Sequence, residues 1–331
     1  MLILGGTAWL GREIAGQAVL AGHDVSCLAR GDSGHPASGV HLVRVDRREP
    51  GAYATVERDR WDSVIEVSWQ PGFVREALIA LADRSRHWIY VSSVSVYASG
   101  GSGGPNATPL TEDAPLLSPA IGSSANREQY GSAKVTCEST SRELVGDRLL
   151  IARPGLIGGP GDHTDRTGYW VARAARRPTA PMLVPDVPDL PTQVIDVRDL
   201  ARWLVVAAQA GLTGPRNAVG PVIPFDTWVA LSRQVGGHVG RVVRMAESRL
   251  SALGVRQWAG PDSLPLWVAG GDRPSFLGTA AESAGLTHRP RLDMLTDTLV
   301  WERAHGLFRD RQAGLTDRRE QELIARPAAH R

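Results

Sequence analysis

Lysine is almost missing from this 331-residue chain: of 37 basic residues, all but Lys134 are arginine. A bias that complete is a codon signature first, yet it singles out the one ammonium, because a guanidinium does not replace lysine at every site. Cysteine is scarce as well. Two thiols, Cys27 and Cys137, exclude a disulfide scaffold or a cysteine-rich zinc site and point to a reducing cytoplasm. The 37 basic and 35 acidic residues nearly cancel and form no long basic run, so a dedicated nucleic-acid binder is excluded. No apolar stretch reaches the roughly 18 residues of a membrane span. Met1 leads straight into Leu2-Ile3-Leu4 without a basic n-region, so no secretory signal is expected. The expectation is a cytoplasmic protein with a small-molecule substrate and neither nucleic acid nor membrane as partner. A homodimer is left open.

What is present is a rhythm of short apolar runs and helical patterns over the first 155 or so residues. Strands are expected at Leu2–Leu4, Asp24–Leu28, His41–Val45, Ser63–Val67, Trp88–Ser92 and Leu149–Ala152. These runs are apolar without strict alternation, as in strands covered on both faces. Helices are expected over Leu10–Leu20, with Gly22 as its stop, and over Gly72–Ala82. Repeated strand–helix–strand units imply an α/β fold with a doubly wound parallel sheet. Residues 99–126 are rich in Gly, Ser and Pro, and a loop that long is usually functional or mobile. The division expected is a dinucleotide-binding domain over 1–158, with 192–218 returning to its sheet, and a mainly substrate-binding lobe over 159–331. Within the return, Gln193–Val206 reads as a strand and helix rejoining the sheet. The smaller mixed lobe carries Trp228, Trp258, Trp267 and Trp301, and from Thr316 a polar helix with a threonine cap closes the chain.

Gly5-Gly6-Thr7-Ala8-Trp9-Leu10-Gly11 follows the first strand and opens the first helix. Glycine lets the backbone turn tightly there, and the helix N-terminus offers free N–H groups and partial positive charge to a pyrophosphate. The second strand ends in Cys27-Leu28-Ala29-Arg30. An acid that would hold a ribose 2′-OH is absent at Ala29, and Arg30 suits a 2′-phosphate, so NADP(H) is favoured with NAD(H) as the other choice. Asp46, at the end of the third strand, is the candidate acceptor for the adenine amino group.

Tyr130 and Lys134 stand four residues apart, hence on one face of a helix. A phenol serves as general acid or base for a carbonyl/alcohol pair, and a nearby ammonium favours its phenolate form. The same ammonium suits the hydroxyls of a nicotinamide ribose. Ser93 lies at the carboxyl end of the fifth strand, where ligands bind in such sheets, and a hydroxyl there holds a substrate oxygen. For Ser92 and Ser95 the structural reading, turn hydrogen bonding, is preferred.

Together these elements resemble the extended short-chain dehydrogenase/reductase superfamily, in its NAD-dependent epimerase/dehydratase branch. The resemblance implies a Rossmann-type fold, with Ser93, Tyr130 and Lys134 as the catalytic residues. It implies that Gly5, Thr7, Ala8, Trp9, Leu10 and Gly11 hold the dinucleotide. The run from Arg153 to Pro160 is similar to the family segment that approaches the nicotinamide, which assigns Pro154, Gly155 and Ile157 to cofactor contact. Family dehydratases of nucleotide sugars carry Asp-Glu after the catalytic hydroxyl residue, where this chain has Val94-Ser95. Nucleotide-sugar enzymes usually place asparagine where this chain has Leu156. A diphosphosugar substrate is therefore not expected.

From Asp162 to Trp170 the sequence reads as a substrate-rim loop, with Arg166, Tyr169 and Trp170 as candidate substrate residues. His163 and Asp165 lack converging partners for a metal, and no metal is expected. Arg173, Arg176 and Arg177 suit the C-terminal end of a helix rather than an anion site. The function expected is NADPH-dependent reduction of a carbonyl on a small molecule that is not a nucleotide sugar, with Tyr130 as acid/base. An epimerase with captive NAD is the enzyme alternative. A non-catalytic dinucleotide sensor is the other, and its mark would be a broken set of catalytic residues.

Overall fold

The computed structural model describes residues 1–98, 107–271 and 274–326; the glycine- and serine-rich run at 99–106 lies outside them. The first half contains β1 (Leu2–Leu4), α1 (Trp9–Leu20), β2 (Ser26–Ala29), β3 (His41–Arg44), β4 (Trp61–Glu66), α2 (Pro71–Leu81), β5 (Ser85–Val91), α3 (Tyr130–Val145) and β6 (Leu149–Pro154). Then come β7 (Leu156–Gly158), α4 (Tyr169–Arg176), β8 (Met182–Pro185), β9 (Pro191–Asp196), α5 (Val197–Ala210) and β10 (Gly214–Ala218). The chain continues through β11 (Val222–Pro224), α6 (Phe225–Gly236), β12 (Val242–Met245), α7 (Glu247–Ala252), β13 (Arg256–Trp258), β14 (Ser263–Pro265), α8 (Thr279–Ser283), α9 (Arg291–His305) and α10 (Asp317–Ala325).

Seven strands form one parallel sheet in the order β10-β6-β5-β4-β1-β2-β3. Successive side chains alternate between its two faces, and both faces are covered. Ile3, Ile65, Ile89, Leu150 and Ala152 pack under α1 and α5, while Leu2, Leu4, Val64, Trp88, Tyr90 and Ile151 pack under α2 and α3. This is why no polar alternation marks these strands in the sequence. The strand order reverses between β1 and β4, which opens a crevice at their carboxyl ends, the usual ligand site of a Rossmann-type sheet.

The return to the sheet differs from expectation in one element. The strand that contains Gln193 pairs with β7 and β11 in a separate three-stranded sheet, and β10 is the strand that joins β6. A hydrophobic run alone does not reveal which sheet it will extend. The second lobe has its own core, in which Trp170, Trp228 and Trp267 are fully buried with Phe225, Leu264 and Leu299. Among the described residues, no helix is long and apolar enough to cross a membrane. Thr316 caps α10 as its side chain accepts from the Arg319 N–H.

Candidate active site

Three loops meet at the crevice. After β1, Gly5 takes φ +97° and Gly11 lies so close that a Cβ would stand 2.2 Å from the Gly5 carbonyl oxygen. Only glycine permits that approach of α1 to the turn. No side chain caps α1, so its first N–H groups stay available. A cleft of about 300 Å³ follows, lined by Gly5, Thr7, Ala8, Ala29, Arg30, Gly31, Asp46 and Arg48 among others. An uncapped helix end beside an elongated polar cleft fits a dinucleotide. Leu10 turns its side chain into the core beneath, so only its backbone faces this region. Trp9 reaches away from the cleft: its indole Nε1 donates to the Pro160 carbonyl at 2.8 Å, and the ring meets His163 edge-on.

Around the ribose end, Arg30 is exposed and only loosely paired with Asp32 at 3.4 Å. The Arg44 guanidinium packs beside Gly31. Asp46, the candidate acceptor for the adenine amino group, lines the cleft and holds Arg48. Both its oxygens accept from Arg48, an ion pair at the exposed rim that pulls its carboxyl down to about 2. The neighbouring Arg47 is buried and grips Glu66, with Nη1 at 3.0 Å from Oε1.

The second loop follows β4. The Glu66 Oε1 also accepts the Ser68 N–H at 2.8 Å, which orients the Ser68 carbonyl toward α3. Gln70 exchanges two hydrogen bonds with the Ala125 backbone and so fastens the approach to the catalytic helix. Trp69 lies against the Tyr130 ring, centroids 5.6 Å apart.

The third loop follows β5, where Ser93 caps a short helical turn and accepts from the Ser95 N–H at 3.1 Å. Tyr130 begins α3, with the Ser93 hydroxyl beside its phenol. Burial raises the Tyr130 phenol above its ordinary pKa, opposed by the Ser93 hydroxyl and by the Arg166 charge. The sequence expectation assigned this lowering to Lys134. In the structure the cation that favours the phenolate is Arg166. Lys134 is buried, donates to the carbonyls of Val91 (2.6 Å) and Ser68 (3.1 Å), and stands 4.8 Å above the Tyr90 ring centroid. Burial brings its ammonium down to about 8.

Behind α3 is a buried polar network that sequence reasoning missed. Glu138, four residues after Lys134, accepts from Ser92 at 2.6 Å and from Arg153 through both oxygens. Arg153 continues to Tyr97, whose hydroxyl donates to Asn217. Ser92 thus has a structural partner, although it is the α3 carboxylate and not the turn hydrogen bonding expected of it. A signal for Glu138 was available: it extends the Tyr130–Lys134 stripe by one more turn.

On the substrate side, Gly155 and Leu156 line a narrow cleft with Val94, Gln193, Trp258, Leu266 and Phe276. Pro154 ends β6, and Ile157 pairs with Ile195, its side chain packing toward the α5 core. Tyr169 and Trp170 are corrections. Both are fully buried in the core of the second lobe, with the Trp170 indole donating to the Pro265 carbonyl, so neither meets a substrate at the rim. Helix α4 has apolar residues on every side, and a sequence does not tell a core aromatic from a rim one. Arg173, Arg176 and Arg177 pair with Glu320 and Asp317 of α10, which seals α10 onto the lobe. Arg166 stacks 5.1 Å over the Trp258 ring centroid. Trp258, eighty-eight residues beyond Trp170, was read only as one of the tryptophans of the second lobe.

The solved structures similar to this one include a protein from Burkholderia cenocepacia, at 21% identity and TM-score 0.68 over 92% of this chain and 97% of that one. The UDP-glucose 4-epimerase of Thermus thermophilus, solved with NAD, is similar at 15% identity and TM-score 0.65 over 92% and 99%. The UDP-glucuronic acid 4-epimerase of Bacillus cereus, also solved with NAD, is similar at 14% identity and TM-score 0.65 over 93% and 99%. No curated protein matches the sequence. At such identities these likenesses concern the fold. The sequence itself matches a family model over residues 1–220, and the chain belongs to the NAD dependent epimerase/dehydratase family.

Proposed function

We propose that the protein is an NADPH-preferring reductase of a small carbonyl compound that is not a nucleotide sugar. The observation that carries this reading is the placing of the Ser93 hydroxyl beside the Tyr130 phenol at the crevice, with Lys134 held beneath by the Val91 and Ser68 carbonyls. A reduced nicotinamide, when bound, supplies a hydride to the carbonyl carbon. The Ser93 hydroxyl orients the carbonyl oxygen, and Tyr130 gives its proton to that oxygen, which completes the alcohol. Burial keeps Tyr130 in the protonated form that a reduction consumes. Lys134 spends two N–H donors on Val91 and Ser68 and keeps a third for the ribose hydroxyls. Gly5 to Gly11 would hold the pyrophosphate. Arg30, Arg44 and Arg48 surround Gly31 where a 2′-phosphate would lie, which supports NADPH over NADH.

A second reading is favoured by the structural neighbours, two of which are epimerases solved with NAD. An epimerase would use the same three residues to remove and return a hydride on captive NAD. Spectroscopy and mass analysis of the purified protein after desalting separate the two. Free exchange with tighter binding of NADPH than NADH is expected. Stoichiometric NAD that survives desalting would sink the reductase and establish the epimerase.

A further inference from the structure

Most inner arginines of this molecule are matched to acids. Arg47 meets Glu66, Arg153 meets Glu138, Arg173 meets Glu320, Arg289 meets Asp199, and Arg311 meets Asp165 and Glu302. Arg166 and Arg291 break the pattern, because among the described residues neither forms an ion pair; the terminal nitrogens of Arg291 nonetheless reach Met294 Sδ and the Val194 carbonyl. The Arg166 Nε donates to the Thr164 hydroxyl at 3.0 Å, and its guanidinium lies over the Trp258 ring. The acids beside it in sequence are spent elsewhere. Asp162 accepts from the backbone N–H and hydroxyl groups of both Thr164 and Thr167. Asp165 turns to Arg309, Arg311 and the Gln312 N–H. Among the described residues the two terminal nitrogens of Arg166 have no acceptor, and burial already disfavours their charge.

Backbone strain gathers at the same place. Among the described residues four that are not glycine have positive φ: Asp165 (58°), Trp258 (66°), Asp262 (53°) and Leu266 (70°). Asp165 adjoins Arg166, while Trp258 and Leu266 both line the narrow cleft beside Val94, the neighbour of Ser93. Such conformations persist where surrounding contacts enforce them, and they cluster at ligand clamps. Here the ion pairs of Asp165 with Arg309 and Arg311 hold the first of these residues in place. The rest of the cleft wall is largely apolar, with Leu156, Leu266 and Phe276, and the amide of Gln193 is occupied by the Phe276 backbone.

We infer that Arg166, stacked on Trp258, binds a carboxylate of the substrate, so that this site acts on small oxo acids with an apolar body. The inference rests on the proposed reductase reading and narrows its substrate class. A planar guanidinium fork with two open nitrogens matches the two oxygens of a carboxylate. The stack on an indole fixes the plane of the fork before the acid arrives. The acid, once seated, supplies the counter-charge that the described residues do not.

The test is calorimetric titration of the purified full-length protein with phenylacetate, methyl phenylacetate and phenyl phosphate, alongside NADPH. Phenylacetate is expected to bind at least tenfold more tightly than its ester. Arg166→Leu should abolish that preference and leave NADPH affinity unchanged. Arg166→Lys, which keeps the charge and loses the fork, should weaken phenylacetate several-fold and guards against a misfolded leucine variant. Equal binding of acid and ester, no binding of either, or an acid preference that survives in Arg166→Leu would each overturn the inference. A tenfold preference for phenyl phosphate over phenylacetate would overturn it in favour of a phosphate ligand. Loss of NADPH binding in the wild-type protein, with the acid preference intact, strikes the reductase reading instead.

Discussion

The two sides of the crevice are built by different means. On the sheet side, each candidate residue stands within a few positions of a strand end or helix start, and regular geometry delivers it. Ser93 follows β5, Tyr130 opens α3, and Lys134 is one turn further on. On the other side, Arg166 comes from a loop and Trp258 from the distant end of β13, and left-handed backbone at Asp165 and Trp258 shapes them. The proposed chemistry therefore sits on parts that hydrogen-bond ladders fix, and the proposed recognition on parts that ion pairs and strain fix. A scaffold divided in this way keeps its reaction while its ligand changes.

The largest effect that tests this division is on the sheet side. Tyr130→Phe should lower kcat by about 10²–10⁴-fold with cofactor affinity kept. Steady-state rates and an NADPH titration check it, and full activity would refute the proton transfer. Lys134→Arg should also lose most activity, since no guanidinium fits between the carbonyls of Val91 and Ser68. The same residue sets a pH limit. As pH rises through about 8, Lys134 loses its proton and the donor count falls, so activity should decline across that window. A rate that stays flat to pH 9.5 would remove Lys134 from the mechanism.

Next come two buried carboxylates, one on each side. Glu138→Ala and Glu320→Ala each strand a buried arginine and should each cost about 3–5 kcal/mol of stability. Denaturant melts measure that cost. Glu138→Ala should lower kcat as well, because Ser92 and Arg153 no longer brace α3; Glu320→Ala should leave kcat alone. Identical kinetics in the two variants would erase the distinction between the sides. The smallest effect is expected at the far end of the chain, where Thr316→Ala removes a helix cap worth about 1 kcal/mol and should alter no kinetic constant.

The same division explains what could be read in advance. Strands β1 to β6, the glycine turn and the Tyr130–Lys134 stripe were legible, because each is a local pattern of apolar period or fixed spacing. Glu66 lay unremarked inside the Ser63–Val67 run, and its bond to the Ser68 N–H was not legible there. The pairing of the Gln193 strand with β7 was hidden, because sheet partnership depends on segments far away in sequence. Tyr169 and Trp170 misled for a related reason: α10 covers their lobe through Asp317 and Glu320, about 140 positions downstream. The Arg48 hold on Asp46 was local, yet nothing in the sequence chooses between a neighbouring guanidinium and an adenine.

The scarcity of lysine has a practical side. Lys134 is the only side-chain amine in the sequence and is 2% exposed, with two of its hydrogens on backbone carbonyls. Reagents that acylate lysine side chains therefore have a single address in this protein, and it lies under the proposed chemistry. The folded molecule should resist them there, and the mass gained at that residue would count the molecules whose crevice has opened.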